Sequence, residues 1–238
     1  MCQCGGKCGN NCSCGKEGKE KGTCSCHSNE KPKLLFCIVG KSASGKDTLC
    51  KTLYERLGWK SICSYTDRPI RVSETQGVEH QFVSKEEMDT LLSQDNIIAE
   101  TQIGEYRYCA TTDCIDNDTK LYIVDPAGVE YLSKKKEKLG INICVVYLDV
   151  DSDIRLSRAL ARGDVREVAE KRFNDEDKTF DDFALHLVSG YCECPFFMYA
   201  NDGNFEELYI KVGSSILEHE RAFKGHWLTM ERGCCECD

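Results

Sequence analysis

The residues best able to do chemistry lie in one short stretch, GKSASGKDT, at positions 40–48. The spacing G-x-x-x-x-G-K is that of a phosphate-binding loop, in which backbone N–H groups and the lysine hold a polyphosphate. The next position usually carries a Ser or Thr hydroxyl for Mg²⁺, and here it is Asp47. We expect a working ATP site in which Asp47 contacts Mg²⁺ directly or through water, and a mere Gly-rich turn is the alternative. The candidate ATP-binding residues in this stretch are Gly40, Ser42, Ala43, Ser44, Gly45, Lys46, Asp47 and Thr48.

A second basic cluster lies in the polar segment SYTDRPIRVSETQGVEHQFVS, residues 64–84. Arg68 and Arg71 stand three positions apart beside Pro69. Two guanidinium groups held this close favour a dianion between them, and a nucleoside monophosphate supplies one. A solvated surface loop is the alternative interpretation.

Further arginines follow in RALARG, where Arg158 and Arg162 are four positions apart, with Arg172 ten positions later. This spacing places Arg158 and Arg162 on one helical face, where they either neutralise a transferring phosphoryl group or simply solvate the helix. Asp125 ends the apolar run LYIVD. Its carboxylate either holds waters of a Mg²⁺ ion or caps the end of the strand. The candidate catalytic residues are therefore Lys46, Arg68, Arg158, Arg162 and Arg172.

The elements that must position these residues alternate between strand and helix. Short apolar runs predict strands at 34–39, 120–124, 141–150 and 196–202. Helical spacing of apolar residues predicts helices at 47–57, 129–139, 153–164, 166–187 and 205–223. Strand, Gly-rich loop and helix in that order are what a phosphate loop requires, and the alternation predicts an α/β fold with a central parallel sheet.

Composition excludes several classes of function. The 238 residues carry a net charge of −9, which argues against nucleic acid as the main partner. No apolar run reaches membrane-spanning length, and the N-terminus has no apolar signal region. Cysteines in the middle of the chain fall mostly in apolar segments, where they behave as small hydrophobes. We therefore expect a reduced, cytoplasmic protein with no membrane partner.

Residues 1–32 form a Cys-rich arm without aliphatic or aromatic residues after Met1. Its C-x-C pairs could chelate a soft ion such as Zn²⁺ or Cu⁺. Redox-responsive thiols and a tail without a role are the alternatives. The cysteines concerned are Cys2, Cys4, Cys8, Cys12, Cys14, Cys24 and Cys26, which Cys234, Cys235 and Cys237 could join.

From residue 33 to about 218 the chain resembles the guanylate kinases. The strongest likeness is SYTDRPIRVSETQGVEHQFVSKEEM, which is similar to the family's GMP-binding segment; GKSASGKDTL, AETQIGEYRYCATT, VDPAG, RALARG and the late NDG support it. The resemblance implies a three-layer P-loop NTPase fold across 33–238. It also implies a small mixed-β NMP-binding region at about 66–115 and a helical lid at about 158–180.

The resemblance also implies a GMP site. The phosphate would be held by Ser64, Arg68, Arg71, His80 and Tyr108, with His80 where the family has a Tyr. Glu100 would read the N1–H and N2 amine of guanine, with the hydroxyl of Thr111 beside the base. Asp125 would lie near the phosphates and the metal.

For ATP, the resemblance implies lid arginines at Arg158, Arg162 and Arg172, with Asn201 and Asp202 against the adenine. Mg²⁺ would accompany ATP, with Asp47 and Asp125 as candidate ligands. The expected activity is ATP-dependent phosphorylation of GMP and dGMP. The alternatives are a kinase for another (deoxy)nucleoside monophosphate, a guanylate-kinase-like binding module without catalysis, and a metal-sensing protein. The intact loop, with Gly40, Gly45 and Lys46, favours the enzyme.

Overall fold

The computed structural model describes residues 33–71, 74–116, 118–189 and 194–233, with side chains to residue 225. The Cys-rich arm and the cysteines at 192, 234, 235 and 237 lie outside these residues. Residues Lys33–Gly213 form one compact unit. Residues 214–233, which continue the last helix, belong to a second unit.

A parallel sheet of five described strands forms the centre of the first unit. The spatial order is β2–β7–β1–β8–β9, and every pairing is parallel. The strands are β1 (Lys33–Val39), β2 (Lys60–Ser61), β7 (Thr119–Ile123), β8 (Ile141–Asp149) and β9 (Phe196–Ala200). Strands β1 and β8 are almost wholly buried, because helices cover a parallel sheet on both faces. The α/β class with a parallel sheet is thereby confirmed.

Helices follow these strands where the apolar spacing predicts them. They are α1 (Lys46–Leu57), α3 (Pro126–Leu139), α4 (Ser152–Ala161), α5 (Arg166–Val188) and α6 (Phe205–Gly233). Helix α3 shows why the boundaries fall as they do. The Asp125 side chain accepts a hydrogen bond from the Gly128 N–H, Pro126 opens the helix, and Gly140 closes it in the left-handed conformation.

A second, mixed sheet follows the order β4–β3–β6–β5. It contains β3 (Tyr65–Thr66), β4 (Gln81–Phe82), β5 (Ile97–Ile103) and β6 (Tyr106–Thr111). Helix α2 (Lys85–Leu92) begins with a capping box between Ser84 and Glu87 and buries Met88 against Ile97 and Cys109. The sheet is the small mixed-β region that the resemblance implies.

The described cysteines of the interior are free thiols, and most are buried. Burial raises the pKa of Cys50, Cys109 and Cys144 to about 12, so these side chains pack as neutral hydrophobes. Among the described helices, none combines the length and apolarity that crossing a membrane requires.

Candidate active site

The phosphate loop leaves the carboxyl end of β1 and turns sharply into α1. Gly45 precedes the helix with φ of 92°, and Ala43 has φ of 62°. A Cβ at Gly40 would lie 2.6 Å from the Leu148 carbonyl oxygen, and one at Gly45 would lie 2.6 Å from Asn201 Nδ2. Both glycines are therefore required by close contacts as well as by the motif.

The Lys46 ammonium lies against the loop itself. Its Nζ donates to the carbonyl oxygens of Gly40 at 2.6 Å and Lys41 at 3.0 Å. Burial lowers the pKa of Lys46, while the charges of Asp47 and Glu176 oppose that shift. Asp47 and Thr48 are exposed at the start of α1, where the positive end of the helix dipole favours anions. This end of β1 has the form of an anion site.

Two predicted residues from other elements hold the loop from outside. Asn201, buried just beyond β9, donates from Nδ2 to the Ser44 carbonyl oxygen at 2.7 Å. Arg158 in α4 donates to the Asn201 carbonyl oxygen at 2.6 Å and to that of Ala43 at 3.5 Å. Asp202 is exposed and accepts from the Asp151 N–H at 3.0 Å. The Asn201 amide thus binds the loop, and its contact with adenine stays a prediction.

The other two lid arginines meet at one carboxylate. Arg162, just past α4, and Arg172, in α5, donate to Asp164 Oδ2 at 2.7 and 2.6 Å. The hydrogen bond from Arg162, together with that from Arg172, lowers the pKa of Asp164 to about 2. Asp164 therefore keeps two guanidinium groups side by side between α4 and α5.

In the NMP-binding region the anion beside Arg68 and Arg71 is Glu74. Arg68 donates from both Nη atoms to the two Glu74 oxygens at 2.9 Å, and Arg71 Nη1 lies 3.6 Å from Glu74 Oε1. The hydrogen bonds from Arg68 are the main cause that lowers the pKa of Glu74 to about 2. Arg68 is buried while Arg71 is 64% exposed, so the pair is not a simple solvated loop.

Three other predicted phosphate ligands, Ser64, His80 and Tyr108, lie together beside Arg68. Its Nε donates to the Tyr108 hydroxyl at 3.1 Å. His80 packs edge-on against Tyr108, with ring centroids 5.6 Å apart, and its Nδ1 lies 2.9 Å from Ser64 Oγ. Burial, followed by the charge of Arg68, lowers the pKa of His80. The neutral imidazole therefore predominates at neutral pH.

The hairpin of β5 and β6 does not bring all predicted base contacts to that place. Tyr108 pairs with Thr101 in the register, whereas Glu100 pairs with Cys109. Side chains alternate along a strand, so Glu100 falls on the face where Cys109 packs against Met88. Thr111 is buried, with its hydroxyl 3.6 Å from Cys114 Sγ. On the Tyr108 face, the Thr101 hydroxyl donates to Asp125 Oδ2 at 2.6 Å.

Asp125 caps the N-terminus of α3, whereas the capping role expected from the sequence is at the end of the preceding strand. Its Oδ1 accepts from the Gly128 N–H at 2.8 Å and its Oδ2 accepts from Thr101. Sequence reasoning singled out neither Thr101 nor the carboxylates of Glu74, Asp164 and Glu176. Only Glu74 had a local signal, since it lies three residues after Arg71 inside the GMP-segment likeness.

A parallel sheet, a glycine loop at the end of its central strand and a separate mixed sheet with Arg68 beside it define a P-loop phosphotransferase fold of the nucleoside monophosphate kinase type. Residues 32–218 match the family described as guanylate kinase. This protein belongs to the guanylate kinase family.

Relatives agree with that assignment. The chain is 30% identical over 148 residues to the guanylate kinase of Neisseria gonorrhoeae, a match that covers 59% of this chain and 70% of that protein. It is 25% identical over 201 residues to the guanylate kinase of Bradyrhizobium diazoefficiens, covering 81% and 85%. The crystal structure of guanylate kinase from Anaplasma phagocytophilum superposes with a TM-score of 0.51 at 19% identity, covering 79% and 87%. That last likeness supports the fold.

Proposed function

We propose that this protein transfers the γ-phosphoryl group of ATP to GMP, giving ADP and GDP, and accepts dGMP as well. A phosphate oxygen of GMP forms a bond to the γ-phosphorus as the bond from that phosphorus to the bridging oxygen of ADP breaks. The observation that carries the proposal is the intact phosphate loop, with Lys46 at its centre, in a chain of this family. A binding module that had lost catalysis would not need it.

Charge explains why the site needs its cations. Each like-charge contact at ~4 Å costs about 1 kcal/mol in water and about 4 kcal/mol at an effective dielectric near 20. The acceptor is already an anion, so no general base is needed, and catalysis consists of alignment and charge neutralisation. We assign that neutralisation to Lys46, Arg68, Arg158, Arg162 and Arg172.

The proposed GMP phosphate site is the Arg68 cluster with Ser64, Arg71, His80 and Tyr108. Glu74 already holds both arginines, so a phosphate dianion must share or displace that carboxylate. The dianion can do so because it carries more charge and accepts from more donors.

Two candidates remain for reading guanine. Glu100 matches the family position and is exposed, whereas Thr101 with Asp125 shares the strand face of Tyr108. The variants Glu100→Gln and Thr101→Val separate them by the ratio of kcat/KM for GMP to that for AMP. The residue that reads the base is the one whose substitution collapses the ratio.

ATP would lie on the loop, with Asn201 and Asp202 toward the adenine and Mg²⁺ beside the phosphates. Mg²⁺ prefers oxygen ligands and is usually held by one or two carboxylates together with substrate phosphates. The exposed Asp47 fits this demand, because its carboxylate faces solvent next to Lys46. Asp125 fits it less well, since both its oxygens already accept hydrogen bonds. Mg²⁺, when bound with ATP, would neutralise phosphate charge there.

Asp47→Ala tests the metal role. Loss of a charged ligand should raise the Mg²⁺ concentration that gives half-maximal activity by about tenfold. Titration of GMP phosphorylation with MgCl₂ at saturating nucleotides measures this, and Thr52→Ala, on the same helix, is the control. Unchanged Mg²⁺ dependence in Asp47→Ala would move the assignment to Asp125.

A coupled assay of ADP release against GMP, dGMP, AMP, CMP and dTMP tests the activity. We expect GMP and dGMP to be turned over with the highest kcat/KM. Turnover of another nucleotide alone would change the substrate, and no turnover with any of them would favour the binding module.

We also propose a cytoplasmic location, supported by the free interior thiols, and soft-metal binding by the Cys-rich arm. Among the described residues, no group of His, Cys, Asp and Glu forms a metal site. Mass spectrometry of untagged protein decides whether the arm carries Zn²⁺ or Cu⁺.

A further inference from the structure

The Glu176 carboxylate, in the middle of α5, holds the phosphate loop at Ser42. Its Oε1 accepts the Ser42 backbone N–H at 2.8 Å, and its Oε2 accepts the Ser42 hydroxyl at 2.9 Å. Ser42 directly precedes Ala43, whose left-handed φ of 62° is unfavourable for a residue with a Cβ. The two hydrogen bonds from Ser42 to Glu176 therefore restrain the strained part of the loop.

Arg155, in α4, fixes the carboxylate in turn. Its side chain is 1% exposed, and it donates to Glu176 Oε1 at 2.9 Å and to Asp177 Oδ1 at 3.0 Å. The guanidinium centre lies 4.4 Å from the centre of the Phe173 ring. A buried cation needs its counter-charge, so Arg155 and Glu176 depend on each other.

The same side of the loop is held at each neighbouring residue. Lys41 pairs with Asp177 at 3.0 Å and with Asp181 at 2.8 Å. Ala43 and Ser44 are held through their carbonyl oxygens by Arg158 and Asn201, as described above. Residues 41–44 are thus each bound from outside by α4, α5 or the end of β9, and Glu176 makes the only contact of these that restrains a loop residue through both backbone and side chain.

We propose that Glu176 and Arg155 are positioning residues that keep the phosphate loop in its ATP-binding shape, an inference that rests on the proposed kinase function. The alternative is that Glu176 imitates a phosphate and is displaced by ATP. Displacement would leave Arg155, at 1% exposure, without one of its two counter-charges, so the carboxylate stays in place. Glu176 lies one helical turn after Arg172, and the same bond therefore sets where that lid arginine stands relative to the loop.

The variant Glu176→Gln keeps the shape of the side chain but sets an NH₂ donor among donors. We expect the KM for ATP to rise about tenfold, from the loss of one charge-assisted contact, with a matching fall in kcat/KM. The KM for GMP should stay within about twofold, because the hydrogen bonds given for Glu176 among the described residues go to Ser42 and Arg155 and not to the proposed GMP site. A general loss of folding would raise both KM values together or lower the active fraction.

Matched variants isolate the contact. Asp182→Asn removes a carboxylate from the same helix that pairs with Lys178 on the surface, and it should leave both KM values unchanged. Ser42→Ala removes one of the two bonds to Glu176 and should give a smaller rise in the KM for ATP. Arg155→Met should raise it too, and Arg155→Met combined with Glu176→Gln should be no worse than the poorer single variant, since Arg155 acts through Glu176.

Steady-state kinetics with both substrates, and thermal stabilisation of each variant by ADP and by GMP, measure these effects. A lower KM for ATP in Glu176→Gln would show that the carboxylate competes with nucleotide and would overturn the proposal. Unchanged KM for ATP, or additive effects in the double variant, would overturn it as well. Failure of the unsubstituted protein to phosphorylate GMP would instead overturn the proposed function, and this inference with it.

Discussion

Two glutamates, Glu74 in the predicted NMP-binding region and Glu176 in α5 within the predicted lid, have contrasting surroundings. Glu74 bridges Arg68 and Arg71, the groups that we expect to bind the GMP phosphate. Glu176 binds Ser42 and Arg155, and the Arg155 side chain is only 1% exposed. On the proposed function, the GMP phosphate must therefore share the two arginines with the first carboxylate or displace it, while the second carboxylate can remain in place throughout the reaction.

The difference indicates a division of labour. Residues 41–44 of the phosphate loop are bound by side chains from α4, from α5 and from Asn201 just beyond β9, and we infer that the loop is preformed. In the predicted NMP-binding region Glu74 holds Arg68 and Arg71, and the Arg71 side chain is 64% exposed. We expect substrate binding to change the conformation of the predicted NMP-binding region more than that of the phosphate loop.

The largest effect should come from Lys46→Met. Removing the loop ammonium should lower kcat by about 10²–10³, as for loss of other groups that stabilise the transition state, while GMP still binds beside Arg68. Steady-state kinetics measure the loss of kcat, and thermal stabilisation by GMP measures GMP binding. Lys51→Met, on the exposed side of α1, is the control. Loss of GMP binding in Lys46→Met would mean that the phosphate loop and the predicted NMP-binding region do not act independently.

Arg68→Leu should have the next largest effect, and this effect should fall on GMP binding in the predicted NMP-binding region. Removal of a buried, charge-assisted phosphate contact should raise the KM for GMP by about 10–100-fold, with the KM for ATP nearly unchanged. Arg71→Leu should have a smaller effect because Arg71 is exposed. Steady-state kinetics of both variants check this, and equal effects from the two arginines would contradict the structure.

Low pH should lower the free energy of unfolding because Glu74 becomes protonated. The folded pKa of Glu74, about 2, lies below its usual 4.5, so its contribution to stability is present above pH 4.5 and is lost as pH falls toward 2. After solvent screening we expect about 1–2 kcal/mol from this one group. Urea unfolding of the protein and of Glu74→Gln, from about pH 2.5 to about pH 7, measures the difference in the free energy of unfolding across the range in which Glu74 is protonated. Parallel pH curves for the two proteins would refute the ionic role.

His80 should produce the smallest change. Burial and the charge of Arg68 lower its folded pKa below 6.5, so the stability due to the neutral imidazole is present above pH 6.5 and declines as pH falls through the folded pKa. The decline should be smaller than the one due to Glu74 and should be absent in His80→Gln. Chemical unfolding of both proteins across that pH range tests this, with Ser64→Ala as a control that loses the partner but keeps the imidazole.

Much of the fold could be predicted from local sequence. The strand at 34–39, the glycine loop and the following helix have strong periodic signals, and the structure has them within a residue or two. The approach of Ser64, Arg68, His80 and Tyr108 followed from a motif resemblance. The bond from Ser42 to Glu176 spans 134 positions and depends on how two helices pack, which no local pattern encodes.

The β5–β6 hairpin shows a different limit. The pairing that runs from its turn places Ile103 opposite Tyr106, and it therefore places Thr101 opposite Tyr108 and Glu100 opposite Cys109. A one-residue shift in register moves a side chain to the other face of the sheet, so Glu100 and Tyr108 lie on different faces although both match the family pattern. Sequence spacing alone does not report this register.

The contact between Gly45 and Asn201 limits how this protein could be altered by design. A methyl group at position 45 would strike the very amide that holds Ser44, and the left-handed backbone there would resist it independently. Shortening the side chain at 201 relieves only the first obstacle and releases Ser44. A combinatorial library should therefore keep these two positions fixed as a pair, and search for altered nucleotide preference in the predicted NMP-binding region instead.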